Sequence, residues 1–296
     1  MYVSDMPLTP PIASLLDQFH ARKPARIWSL IVTLYGDAIV PRGGSLWIGS
    51  LIEIMALFNI DAGHVRTAVS RLSSDGWLSS TKRGRASYYR LSRSGEDEFL
   101  QATQRIYSSI PVRRGALRVA LIGPTVTDAA ALRRGLMAAA FAPVSPVIHV
   151  GLGTPPSELR TEGLFVLTPD ETDKRDLATA AWRLDEMAQA YRDFIAQFSP
   201  LAALLDKQDQ TALKDDEALV ARTLLIHAFR RLVLRDPALP ADLLPQDWSG
   251  EAARALAGRL YAAVVAPSER FLDAHGRNEE GPLPLPDASF PKRFTR

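Results

Sequence analysis

The chain has 296 residues, 47% hydrophobic and 23% charged, a composition that supports two domains, or three small ones, with sizeable cores. The absence of cysteine excludes disulfides, thiolate metal sites, a cysteine nucleophile and a thiol redox switch. The formal charge of +2 conceals a division: residues 22–93 hold eleven Lys and Arg against four Asp and Glu, a net of +7, while the residues from 94 onward net −3. A basic segment beside a mildly acidic remainder suggests a polyanion-binding head on a body with another task.

The start, MYVSDMPLTPPIASLLDQF, has acids where a secretory leader has cations, and no later run is long and apolar enough for a membrane span. A cytoplasmic protein without membrane association is expected. Pro24 suits the first position of a helix, whose apolar run ARIWSLIVTLYG is expected to stop at Gly36. After the turn Pro41-Arg42-Gly43-Gly44, LWIGSLIEIMALF reads as a second helix with Gly49 as its weak point. Asp61 then suits the N-cap of a third, because its carboxylate can accept from the first unpaired N–H groups.

That third helix, about Ala62 to Asp75, carries Val65, Ala68, Val69 and Leu72 at i, i+3, i+4 and i+7, a single apolar stripe. Arg66, Thr67, Ser70, Arg71 and Ser74 share the opposite arc. Such side chains hydrogen-bond base edges and phosphates in a major groove, although the same arc also describes a solvated surface. Gly76 ends the helix. WLSSTKRGRASYYRLS then reads as a hairpin, with Gly84 at its turn and Lys82, Arg83 and Arg85 at its tip. A third helix followed by a cation-tipped hairpin is the order of a winged helix-turn-helix, in which helix and wing both contact DNA. The candidate DNA-binding residues are Arg42, Arg66, Thr67, Ser70, Arg71, Lys82, Arg83 and Arg85, and the candidate domain is 22–93.

A linking helix is expected from Ser94 to about Tyr107, ended by Pro111. LRVALIG, an alanine-rich helix near Thr127–Phe141, a strand around Val147–Val150 and LFVLTP follow, compatible with at least half of a ferredoxin-like fold. Helices are then expected near Asp176–Phe198, Asp216–Leu234 and Gly250–Leu272, and the Pro-rich end reads as a frayed tail. The fold class is thus α+β and multidomain: 22–93, 94–174, 175–275 and a tail, 276–296.

On the helix near Asp216–Leu234, Ala221, Leu225, Ala228, Phe229 and Leu232 form an apolar face. Thr223, His227, Arg230 and Arg231 share the other, with Arg235 just beyond. His227, Arg230, Arg231 and Arg235 could receive ligand phosphates, and Trp248, Tyr261 or Phe271 could wall an apolar group. The same stripe also reads as solvated or domain-facing, its arginines paired to Asp236 or Asp242.

Other chemistries fit poorly. Gly151-Leu152-Gly153 is followed by Pro155-Pro156 and lacks the third glycine of a dinucleotide loop. The five histidines stand far apart in sequence, with no metal-ligand spacing, so neither a metal nor a cofactor is expected.

LYGDAIVPRGGSLWIGSLIEIMALFNIDAGHVRTAVSRLSSDGWL and GRASYYRLSRSG resemble the N-terminal region of the PaaX family, repressors of phenylacetic-acid degradation genes and their relatives. HAFRRLVLRDPALPADLLPQDWSG and LYAAVVAPSERFL extend the resemblance over roughly residues 22–275. It implies a winged-helix domain, a ferredoxin-like domain similar to the Cas2 nuclease fold, and a helical C-terminal domain. It also implies a homodimer that leaves its operator on binding an aryl- or acyl-CoA such as phenylacetyl-CoA. The first strand ends at Ile122-Gly123-Pro124 without the carboxylate that a Cas2-like metal nuclease needs, so the implied likeness is architectural. The chain departs from the family at Ala228, where an acid is frequent, and at SPVIHVG, where an aromatic residue is. Two other readings remain open: an enzyme acting on a CoA thioester, and a constitutive architectural DNA-binding protein.

Overall fold

The computed structural model describes residues 7–21, 27–108, 112–206, 213–288 and 290–295. Pro24 and Pro111 lie outside them. In chain order the elements are α1 (Pro10–Ala21), α2 (Ile27–Leu34), β1 (Ser45–Trp47), α3 (Ile48–Ala56), α4 (Ala62–Ser74), β2 (Leu78–Arg83), β3 (Ala86–Leu91) and α5 (Arg93–Tyr107). There follow β4 (Leu117–Ile122), α6 (Ala129–Ala138), β5 (Ala142–Pro143), β6 (Ile148–Leu152), β7 (Leu164–Leu167), α7 (Lys174–Trp182) and α8 (Leu184–Leu205). The chain closes with α9 (Asp215–Val233), α10 (Gly250–His275), β8 (Arg277–Asn278) and β9 (Gly281–Pro282). The protein is α+β, with several small sheets.

Two compact units result, each assembled from separate stretches of chain: residues 1–109, 193–234 and 252–296 form the first, and 110–192 with 235–251 the second. The linear division at residue 174 is therefore not how the tertiary contacts divide the chain. In the first unit α9 is the central helix, against which α1, α2 and α5 pack. Every residue from Asp216 to His227 is buried, Arg222 completely. Over this stretch the polar stripe is therefore domain-facing, not solvated, while Arg231, one turn further on, is exposed. α1, which the sequence reading left without structure, supplies Ile12, Leu15, Leu16 and Phe19 to that core.

Gly36 does not end the helical run that α2 begins. The chain continues from α2 through a π-helical turn, Tyr35–Ile39, and a 3-10 turn, Val40–Arg42, before Gly43 (φ +84°) and Gly44 (φ +76°) turn it. Gly36 serves another purpose, since a Cβ there would lie 2.1 Å from the Phe99 ring of α5. The carboxylate of Asp37, on the same turn, is 2% exposed and accepts from Tyr107 Oη (2.6 Å), Tyr261 Oη (2.9 Å), Arg222 Nε (2.6 Å) and an Arg293 guanidinium nitrogen (2.9 Å). Burial pushes this carboxyl up, but the two guanidiniums and two hydroxyls outweigh it and hold the pKa below its ordinary value.

The expected frayed tail is built into the first unit. β8 and β9 pair, Leu283 is buried, Asp287 N–H donates to Pro41 O (2.8 Å), and Phe294 N–H donates to Tyr107 O (2.8 Å). Its composition is that of a loop, yet Arg293 neutralises Asp37 and so anchors it.

In the second unit four antiparallel strands are ordered β5-β6-β4-β7. Alternation along β4 fixes two faces. Ala120 and Ile122 pack with Leu132, Leu136 and Phe141 beside α6, while Leu117 packs with Ala178, Ala181 and Leu243 beside α7. Between β6 and β7 stands a single 3-10 turn, Ser157–Leu159, whose Leu159 joins the α6 face. The helix expected over Asp176–Phe198 is broken at Arg183, whose left-handed φ of 51° caps α7 before α8 begins.

Candidate nucleic-acid interface

Asp61 caps α4 as expected, its carboxylate accepting from Gly63 N–H (2.8 Å) and His64 N–H (3.0 Å). The stripe Val65, Ala68, Val69 and Leu72 is buried against the core, and this fixes the roll of the helix. Arg66, Thr67, Ser70, Arg71 and Ser74 consequently all face solvent. Thr67 Oγ1 donates back to Gly63 O (3.0 Å), and Arg71 pairs loosely with Asp75 (3.5 Å). Both interactions are local and solvent-exposed, so a polyanion can compete for them at little cost.

The hairpin is held by the register Leu78↔Leu91 to Arg83↔Ala86, with β1 pairing on the other edge of β3. Gly84, at φ +60°, makes the turn. Lys82, Arg83 and Arg85 are exposed at the tip, as the spacing implied. Arg83 already donates to Glu279 O (3.1 Å) in the β8–β9 turn, a partner supplied from 196 residues away. Between α4 and the hairpin runs a cleft of about 570 Å³ lined by Arg66, Ser70, Ser73, Ser74, Ser80 and Ser87, among others. Ser73, Ser80 and Ser87 were missed from sequence. An alternating pattern on a hairpin does not say which face meets the helix.

Arg42 is a correction. It is 1% exposed, donates Nε to Pro284 O (2.8 Å), and turns its guanidinium to Glu269 (3.1 Å) and Asp273. Its position in a Gly-rich turn suggested exposure, but α10 and the tail enclose it.

The residues suggested for an effector do not converge. His227 is buried, with its ring edge-on to Phe19 and Nδ1 3.1 Å from Thr33 Oγ1. Arg230 is largely buried and donates to Ser29 Oγ (2.7 Å); burial pulls its guanidinium down to about 10, still charged at neutral pH. Arg231 is exposed, and Arg235, also exposed, lies in the second unit. Tyr261 is taken up by Asp37, Phe271 stacks on His275 (4.3 Å between ring centroids), and Trp248 lies edge-on to Tyr191.

Comparison with known proteins gives the same family as the motifs. Residues 26–95 match the profile described as PaaX-like protein, and residues 182–274 that of the PaaX-like protein C-terminal domain. The protein named Transcriptional repressor PaaX of Escherichia coli (strain K12) is 34% identical over 283 residues, covering 90% of this chain and 89% of that one. Among solved structures, the uncharacterized protein Rv0674 from Mycobacterium tuberculosis aligns at a TM-score of 0.46 and 22% identity, over 75% of this chain and 89% of that one. Two matched domains and a relative this similar over nine-tenths of the chain establish that the protein belongs to the PaaX-like family.

Proposed function

We propose that the chain is a DNA-binding transcriptional repressor of a catabolic operon, of the phenylacetate type. It acts as a homodimer in the cytoplasm and is released by an aryl- or acyl-CoA such as phenylacetyl-CoA. The observation that carries this reading is the solvent-facing set Arg66, Thr67, Ser70 and Arg71 on α4, flanked by a hairpin tipped with Lys82, Arg83 and Arg85. Its membership of a family that includes a protein named as a transcriptional repressor supports the same reading.

The succession of α3, α4 and hairpin supports a winged helix-turn-helix within residues 22–93, α4 entering the major groove and the tip reaching the backbone. In the second unit the order β5-β6-β4-β7 supports a ferredoxin-like, Cas2-like sheet in the segment 94–174, with the turn Ser157–Leu159 in place of its second helix. A twofold dimer would offer paired recognition helices to half-sites about one helical turn, or a multiple of it, apart.

The test is a gel-shift titration against the DNA upstream of the chain's own gene, with and without phenylacetyl-CoA. A shift that the thioester reverses is expected. No shift at low salt overturns the reading, and a shift indifferent to every acyl-CoA favours a constitutive architectural role. Turnover of the thioester favours an enzyme. Within the interface, Arg66→Ala is expected to relax base preference by about 1–3 kcal/mol at one position. Arg85→Ala is expected to weaken all sequences and lower the salt slope by about 0.9. Identical behaviour of the two variants would refute the division of roles.

A further inference from the structure

The three cations at the tip of the hairpin are not equivalent. Alternation divides the hairpin into two faces. Ser80, Ser87 and Tyr89 line the cleft beside α4, and Lys82, opposite Ser87, shares their side. Arg83 alternates with Lys82 and so lies on the other side, with Ser79, Thr81 and Arg90. β1 extends that outer face, because Ser45 stands opposite Arg90 and Trp47 opposite Tyr88.

The β8–β9 turn meets this outer face. β8 packs against β1. Ser45 Oγ donates to Glu279 Oε1 (2.8 Å), and Arg83 Nη1 donates to Glu279 O (3.1 Å). Among the described residues, Lys82 and Arg85 have no such partner. Burial pushes the Glu279 carboxyl up, but the Ser45 hydroxyl and the charges of Arg90 and Arg83 outweigh it and hold the pKa below its ordinary value. The attraction is mutual, so the same carboxylate offsets part of the positive charge of both arginines. Glu280, next in the chain, is exposed and adds a second carboxylate.

The turn is fixed from both sides. Arg277 pairs with Pro282 and Asn278 with Gly281, and the Asn278 side chain accepts from Glu280 N–H (2.8 Å). Beyond it Leu283 is buried, and Pro284 O accepts from the enclosed Arg42 (2.8 Å). A group fixed beside its target competes at a high effective concentration. What it offers Arg83 is a neutral carbonyl, whereas a phosphate offers charged oxygens that match the guanidinium fork. A duplex can therefore take Arg83, but only by bringing phosphates up to two carboxylates, inside the screening length of about 10 Å at 0.1 M salt.

We propose that the β8–β9 turn is an internal competitor for DNA: Glu279 and Glu280 cover the outer face of the hairpin, withholding Arg83 and Arg90 from backbone phosphates and leaving Lys82 and Arg85 to meet them. This rests on the DNA-binding reading and adds to it a role for the C-terminal tail. Phosphate contacts carry no sequence information, so the competition weakens every duplex alike. The turn sets affinity, and α4 sets base preference.

The experiment is a salt titration of duplex affinity by fluorescence anisotropy, with the full-length protein and two probes. One is the DNA upstream of the chain's own gene, the other a random duplex of equal length. Glu279→Gln combined with Glu280→Gln is expected to tighten both probes about threefold or more at low salt, and to steepen the salt slope by about 0.9 for each arginine released. Arg83→Gln is expected to cost at least about threefold more in that background than in wild type, a coupling that a purely structural turn would not produce. Glu280→Lys, at an exposed position, replaces the double variant if that does not fold, and is expected to act in the same direction. Unchanged or weaker binding by the folded carboxylate variants, or an equal cost of Arg83→Gln in both backgrounds, overturns the proposal. If wild type selects its upstream DNA and the carboxylate variants bind no tighter, the competitor falls and the repressor reading stands. If those variants tighten on both probes and neither probe is preferred, the competitor stands and the repressor reading falls. Absence of binding to either probe by wild type and variants alike overturns both.

Discussion

Replacing Asp37 by Asn tests the architecture of the first unit most directly. The carboxylate sits on a π-helical turn, 2% exposed, and accepts from four side chains drawn from α5, α9, α10 and the tail. Asn keeps the shape but removes the charge facing Arg222 and Arg293. Arg222, 0% exposed, retains Glu269, whereas among the described residues Arg293 is left with Tyr261 Oη and main-chain carbonyls. Removing one partner of a buried ion pair costs about 3–5 kcal/mol. With a urea m-value of about 1–3 kcal/mol/M, the denaturation midpoint should fall by at least about 1 M. A double-mutant cycle with Arg293→Met should return a coupling above about 1 kcal/mol, because the two groups touch. The pH dependence has a defined sign. The folded carboxyl lies below the unfolded value of 3.8, so its contribution is complete above that pH and is lost as pH falls through the folded value. Wild type and Asp37→Asn should therefore converge in strong acid. A cost under about 1 kcal/mol, the level of an exposed pair, or strict additivity would refute this account of the cluster.

Arg42→Ala should destabilise toward the low end of about 3–5 kcal/mol, because Asp273 is half exposed, and should leave base preference unchanged. A specific loss of operator discrimination in a folded variant would return Arg42 to the interface. His149 is buried on β6, and burial, aided by the nearby Arg133, lowers its pKa below 6.5. The unfolded chain therefore takes up a proton that the folded one refuses, and stability should decline as pH falls from 6.5 toward the folded value. His149→Gln should flatten that part of the melting-temperature profile, and an unchanged slope would rule the residue out as its source. Truncation after Gly276 removes Arg293 from Asp37, and on the same ion-pair estimate should lower the melting temperature by about 6 °C or more. An unshifted melt would show that the tail contributes nothing.

Local signals were sufficient where local physics decides. The α4 stripe, the Asp61 cap and the Gly84 hairpin follow from spacing and dihedral preference, so the eight exposed cations and hydroxyls of the candidate interface, Arg66 to Ser74 on α4 and Lys82 to Arg85 on the hairpin, were nameable from residues 61–91 alone. Arg42 was misread because exposure is not a local property. A Gly-rich turn is usually outside, and only the arrival of Glu269, Asp273 and Pro284 makes this one inside. For the same reason the polar stripe of α9 is domain-facing rather than solvated, since a helix of mixed polarity shows its polar side to water only where no neighbour covers it. Here its polar side chains are satisfied by Asp37, Ser29 and Thr33 from the head.

The sequence by itself determined the class, the hairpin and three strands of the second unit, most helices, the solvent-facing side of α4 and the family, because each rests on periodicity, capping or motif within a few dozen residues. Only the tertiary structure decided that the tail is anchored, that Asp37 gathers four distant donors, and that Arg42 is structural. Those are contacts across 70 to 256 residues of chain, where neither partner carries a local signature of the other.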